Sequence, residues 1–347
     1  MSSEFAEPST AAVGGGAAIR LAGYRSVAGR WLTFSDYGPV AQRHVALAWS
    51  CALACGLADA IWLPFSRLSF AASNWLSLFQ GVAYCALACV LIAVAFGRLQ
   101  GDASRVGVAL RTALTTTELL CRTVLVIGAL LTAGATLSYV ITAAELPLKD
   151  ALLAEADRGL GFYWPRFLEA TNSSPFLATL LTRAYQTTGL VTEFVILWLA
   201  VMRKGERLAE FLAVLGLCTV GLCIGMWLVP AAGAFAYYGP APGLFDNYSA
   251  LGKMWTFNHT FNMLRNGTLS VVNLSALDGV VSFPSFHTML GVMTTYAMRD
   301  SRWLILVFLL NATMIVATMP VGGHHLVDVL AGAGLTLGAI LLVRLPR

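Results

Sequence analysis

The chain has 347 residues, of which 58% are hydrophobic and 12% charged, about half the charged content of an ordinary soluble domain. That composition excludes a water-soluble globular fold and marks an all-α integral membrane protein. The net charge of +4 follows from basic residues gathered on one side of the predicted spans, so nothing in it points to nucleic acid as a partner.

Residues 1–40 offer no apolar run able to act as a cleaved signal, and "VGGGAA" reads as flexible tail. About 20 helical residues cross a bilayer, and eight such stretches are predicted, at 44–63, 77–97, 118–144, 176–201, 209–235, 284–298, 302–319 and 325–344. The sixth is short and the fourth is interrupted by polar residues. Spans one and two carry almost no ionisable side chains. The expected organisation is a flexible cytoplasmic segment (1–43), a two-helix peripheral membrane region (44–117) and a six-helix catalytic core (118–347). All seven cysteines fall inside spans, where small soft side chains pack well; no disulfide framework is implied.

With eight spans the two termini share a side. On that side fall Arg20, Arg25, Arg30, Arg43, Arg98, Arg105, Arg111, Arg203, Lys204, Arg207, Arg299, Arg302, Arg344 and Arg347, fourteen in all. The opposite loops hold six, namely Arg67, Lys149, Arg158, Arg166, Lys253 and Arg265. The positive-inside rule therefore places both termini in the cytoplasm and segments 145–175, 236–283 and 320–324 on the outer face, as in a bacterial inner membrane with its active site toward the periplasm.

The chemistry-bearing residues lie in those outer segments. In "DRGLGFYW", Asp157 reads as a helix or turn residue, and Phe162, Tyr163 and Trp164 as an interfacial aromatic belt or lid. Arg183 and Glu193 lie within the fourth span, beside a water-filled cleft or, for Arg183, at a span end. The stretch "KMWTFNHTFNMLRNG" has an apolar stripe (Met254, Phe257, Phe261, Leu264) and a polar one (Asn258, Asn262, Arg265). It predicts a short interfacial helix with Arg265 able to clamp phosphate oxygens and Lys253 beside it; His259 reads as an interfacial anchor. In "VVSFPSFHTML", Pro284 suits a first helical turn, Ser282 or Ser285 can cap it, and His287 sits in that turn.

In "GGHHLVDVLAG", His324 and Asp328 are four apart and share a helix face, whereas His325 points about 100° away. A carboxylate fixes the tautomer of its imidazole and raises its basicity, which makes His324 the candidate nucleophile and His325 a neighbour lining the site. Gly322 and Gly323 offer bare backbone amides at the positive end of a helix, a place that attracts an anion. His287, His324 and Asp328 are also a conceivable zinc set, but glycine and serine amides suit a phosphate better than a cation, so no metal and no cofactor is expected.

"PSFH" and "GGHHLVDVLAG", in that order, resemble the second and third signatures of the phosphatidic acid phosphatase type 2 superfamily, integral membrane enzymes that cleave or transfer phosphoesters through a phosphohistidine without metal. The likeness spans about residues 118–344 and is nearest the branch of inositol phosphorylceramide synthases and their bacterial relatives. It implies a lipid or lipid-linked phosphate as substrate, with inositolphosphotransferase-like activity or, with water as acceptor, lipid phosphatase activity. A non-catalytic lipid-binding or transport protein on the same fold is the remaining alternative. The resemblance makes His324 the nucleophile, Asp328 its orienting carboxylate, His287 the general acid and Ser285 a phosphate ligand. Three departures are visible. The superfamily's Lys-x6-Arg-Pro motif is absent, Arg265 being followed by Asn266, and Thr318 stands where the third motif carries arginine. Phe286 replaces the glycine of the phosphatase-type Pro-Ser-Gly-His, which fits the transferase branch.

Overall fold

A computed structural model describes residues 34–241, 243–250 and 255–345. The first 33 residues and Lys253 lie outside this range. The described chain is helical throughout except for two two-residue strands, because backbone polar groups within a bilayer must be satisfied inside their own segment.

Eight helical segments occupy the predicted positions: α1 (Gly38–Trp62), α2 (Ala72–Arg98), α3 (Arg105–Ala143), α6 with α7 (Pro175–Gln186 and Thr188–Val201), α8 (Gly205–Leu228), α12 (Phe286–Ala297), α13 (Leu304–Ala317) and α14 (Leu326–Arg344). Between them lie α4 (Asp150–Gly159), α5 (Trp164–Asn172), α9 (Ala234–Tyr238), α10 (Asp246–Ser249) and α11 (Phe257–Arg265). Five helices are long and apolar enough to cross a membrane, or six when α6 and α7, bent by 45° at their junction, count as one broken span. The 12 and 14 residues of α12 and α13 reach only about 18 and 21 Å at 1.5 Å per residue, short of a ~30 Å hydrocarbon core.

Local signals explain the boundaries. Ser104 caps α3 by accepting from the Gly107 amide at 3.0 Å, and Ser174 caps α6, whose first residue is Pro175. The main core joins α1, α3, α7, α8, α12 and α14. Gly216 on α8 lets α1 approach closely, a Cβ there lying 3.1 Å from Cys51 Cβ and 3.2 Å from Ala48 Cα. The first predicted span therefore packs against α3 and α8 through Ala41, Val45, Ala48, Cys51 and Cys55. Among the described spans α2 is the least packed, 6% buried over its apolar window. Between α12 and α13, Asn311 donates to the hydroxyls of Thr294 and Thr295, both at 2.9 Å, an interhelical bond that a bilayer favours.

The two ends of the bundle differ. One gathers ion pairs, Arg207 with Asp300, Arg299 with Glu210, and Arg122 with Asp36 and Glu118. The other gathers the connecting segments that carry the conspicuous histidines. There, β1 (Ser69–Phe70) pairs in parallel with β2 (Val271–Val272), and buried Asn74 donates to Val272 O at 2.7 Å and accepts from Leu274 N at 2.9 Å. The α1–α2 loop is thereby fastened to the segment running into α12.

Candidate active site

Two helix starts meet at this end. The backbone amide of Ser285 donates to Asp328 O at 3.0 Å, and Gly332 permits the contact, since a Cβ there would stand 2.5 Å from Ser285 O. Helix α12 begins at Phe286, two residues later than the predicted start at 284, so Pro284 lies before it and Ser285 is its cap: its Oγ accepts from Thr288 N at 3.4 Å and from Thr288 Oγ1 at 3.2 Å. Ser285 is fully buried.

His324 precedes α14, and its Nδ1 lies 3.3 Å from Asp328 Oδ2. The ring is 3% exposed and Asp328 is fully buried, so the pair is desolvated and the carboxylate leaves Nε2 as the free ring nitrogen. Asp328 Oδ2 also accepts from His325 N at 2.9 Å. His287, partly buried, stacks on Tyr185 with centroids 4.3 Å apart, and Tyr185 Oη is 3.4 Å from its Nδ1. Tyr185 stands at the α6–α7 bend, and a Cβ on Gly322 would approach both its ring (3.1 Å) and His324 Cδ2 (3.0 Å). Gly322 is therefore the bare spot between the His324 and His287–Tyr185 groups.

The connecting loop is rigidly held. Every residue from Ala317 to His325 is buried. The indole of Trp164 donates to Met319 O at 2.9 Å and that of Trp255 to Pro320 O at 3.2 Å. Trp164 is fully buried and stacks on Tyr238, so it is a pin beneath the loop rather than part of an interfacial belt. Thr318 accepts the His324 amide at its carbonyl, at 3.2 Å. Gly323 has φ +68°, and a Cβ there would meet Phe235 Cβ at 2.9 Å.

His325 is more than a neighbour of the site. It is fully buried, with Nδ1 3.2 Å from Asp157 Oδ2 and Nε2 3.7 Å from Asp150 Oδ1. Burial opposes its charge, but the two carboxylates outweigh that and raise its pKa to about 9. Asp157, also fully buried, accepts from Leu326 N at 3.1 Å and Val327 N at 2.9 Å. The first amides of α14 thus donate to an internal carboxylate, and the amides offered beside that helix end are those of Gly322 and Gly323. Asp150 accepts from Ala232 N (3.0 Å) and Gly233 N (2.8 Å), joining α4 to the segment after α8. Among the described residues the amides of Gly322 and Gly323 make no hydrogen bond, and the first amides of α12 have no intrahelical acceptor.

Asp150 and Asp157, the members that sequence reasoning missed, did leave a signal. Asp150, Leu153, Ala154 and Asp157 follow i, i+3, i+4, i+7 spacing and form the buried face of α4, so the helix turns two carboxylates inward. Tyr185 left no comparable mark. Arg265 sits at the edge of the group: it donates to Leu146 O at 3.0 Å, lies over the Phe261 ring, and borders a cavity of about 20 Å3 with Ser282 and Phe283. His259, Arg183 and Glu193 are exposed. No three His, Cys, Asp or Glu side chains among the described residues are grouped as a metal site.

The family model described as the PAP2 superfamily matches residues 151–342, more than half of the chain. The chain belongs to the PAP2 superfamily. No curated protein and no solved structure matches it. In this PAP2 superfamily protein the matched segment runs from α4, with Asp157, through both helix starts to α14, and leaves α1, α2 and α3 outside. The superfamily comprises phosphatases and phosphotransferases.

Proposed function

We propose that the protein transfers the phosphate or phosphoheadgroup of a lipid through a phosphohistidine, most like an inositolphosphotransferase, at the outer side of a bacterial inner membrane, with both termini cytoplasmic. The observation that carries this reading is the buried His324–Asp328 pair facing the His287–Tyr185 pair across Gly322, in a chain of the PAP2 superfamily.

Nε2 of His324 attacks phosphorus, the P–O bond to the lipid breaks, and His287 gives the departing oxygen its proton. Tyr185 Oη accepts from Nδ1–H of the protonated His287 ring, which turns Nε2 toward the leaving oxygen. An acceptor hydroxyl then attacks the phosphohistidine, returning its proton to His287 and freeing His324. The amides of Gly322, Gly323 and the first turn of α12 face the negative charge that develops, with Arg265 as a basic group at the rim and Ser285 fixing the α12 start. Phe286, half-buried on a cavity of about 410 Å3 bordered by α3 and Asp278–Val281, favours a bulky lipid alcohol and supports the transferase branch. The six-helix unit from α3 onward is taken as the catalytic core.

The test is incubation of the protein in vesicles with phosphatidylinositol labelled in its inositol phosphate and a graded lipid alcohol as acceptor. The label is expected to move to the acceptor lipid, with release of diacylglycerol, in proportion to acceptor concentration. Release of water-soluble inositol phosphate alone at every acceptor concentration overturns the transferase reading and leaves a hydrolase.

A further inference from the structure

A large cavity lies outside the family match. It encloses about 710 Å3 among α1, α2 and α3, within the ~300–1,000 Å3 range of small-molecule sites. Its wall is apolar except for Asp59, Ser77, Cys85, Thr132 and Thr136, and no Arg, Lys or His lines it. Asp59, in the last turn of α1, is 9% exposed, and its Oδ1 is buried without a hydrogen-bond partner among the described residues. A buried carboxyl with an unmet oxygen is costly unless something brought into the cavity satisfies it. The hollow is also real space: a Cβ added at Gly56, Gly81 or Gly128 meets nothing within 4 Å.

We infer that this groove binds a neutral lipid alcohol, a diacylglycerol-like molecule whose hydroxyl bonds to Asp59 while its acyl chains cover the apolar wall. Charge selects this occupant. A phospholipid would bring its phosphate to a carboxyl with no cation in the lining, whereas a hydroxyl donates to an ionised carboxylate and accepts from a protonated one. The groove lies at the active-site end, for Phe70 lines it and, within β1, pairs with Val272 on the segment leading to His287. Thr132 of α3 borders both this groove and the 410 Å3 cavity at Phe286.

The experiment uses the full chain in vesicles with three photoreactive lipids of identical acyl chains: diacylglycerol, phosphatidic acid and phosphatidylcholine. Labelling by the diacylglycerol probe is expected on peptides from 49–64, 75–85 and 124–136, about tenfold above the two phospholipids. Asp59→Leu should lower it about tenfold. Gly128→Leu, which fills the hollow without touching Asp59, should lower it similarly, and it keeps the test decisive if Asp59→Leu does not fold. Equal labelling by all three probes overturns the inference, as does wild-type labelling of both folded variants, or cross-links between two copies through α2.

Discussion

Removing the Asp157 carboxylate tests how His325 and the start of α14 are held. It is fully buried and accepts from Leu326 N, Val327 N and His325 Nδ1. Asp157→Ala strips the helix-start cap, worth about 0.5–2 kcal/mol, and deprives a buried imidazolium of one counter-charge, a class of loss that runs to about 3–5 kcal/mol. The two overlap, so about 3–5 kcal/mol is the expected total. Asp157→Asn keeps an acceptor but not the charge and should lose about half as much. The sign with pH follows from His325. Its folded pKa is raised to about 9 from an ordinary ~6.5, so the stabilisation is complete below about pH 6.5 and is lost as pH rises through about 9. Thermal unfolding of wild type and both variants in detergent at pH 6, 8 and 10 reads all of this. Wild type should weaken between pH 8 and 10, and Asp157→Asn, with a lower His325 pKa, at lower pH. Wild-type stability in Asp157→Ala within about 0.5 kcal/mol, with an unchanged pH profile, refutes the clamp.

Three further outcomes are expected. His287→Asn should reduce turnover of a lipid phosphate by about 10²–10⁴-fold but much less for a nitrophenyl phosphoester, whose leaving group needs no proton; rate measurements on both substrates check this. Tyr185→Phe, which removes only the hydroxyl 3.4 Å from His287 Nδ1, should shift the limb of the pH–rate profile that reports the general acid while the protein stays folded. Gly323→Ala, at φ +68° and 2.9 Å from Phe235 Cβ, should cost about 1–2 kcal/mol in strain and more in activity than in stability, measured by melting temperature and initial rate.

Helical phase paired His324 with Asp328, but α14 begins at Leu326 and His324 lies before its cap, so the contact is made by the loop folding back on the first turn rather than by two residues of one helix. The same logic placed His287 and the short α11 helix before it. It failed where contacts cross the chain. Asp157 meets His325 168 positions away, and in a single sequence such a partner is visible only as an inward-facing carboxylate on α4. Trp164 was read by residue type as interfacial, but the connecting loop required a donor for Met319 O and took it inside. The break after Gln186, which turns Tyr185 toward His287, interrupts an apolar stretch whose composition alone reads as one span. Helix length was less legible, since α12 and α13 are apolar but short, and hydropathy reports apolarity more directly than length.

On the proposed mechanism phosphate passes through His324. Rapid quenching of wild type with lipid carrying radiolabelled phosphate, followed by peptide mapping, should show an acid-labile, base-stable label on the peptide containing His324, absent from folded His324→Ala. Turnover of that variant at the wild-type rate, or a label on any other residue, contradicts it.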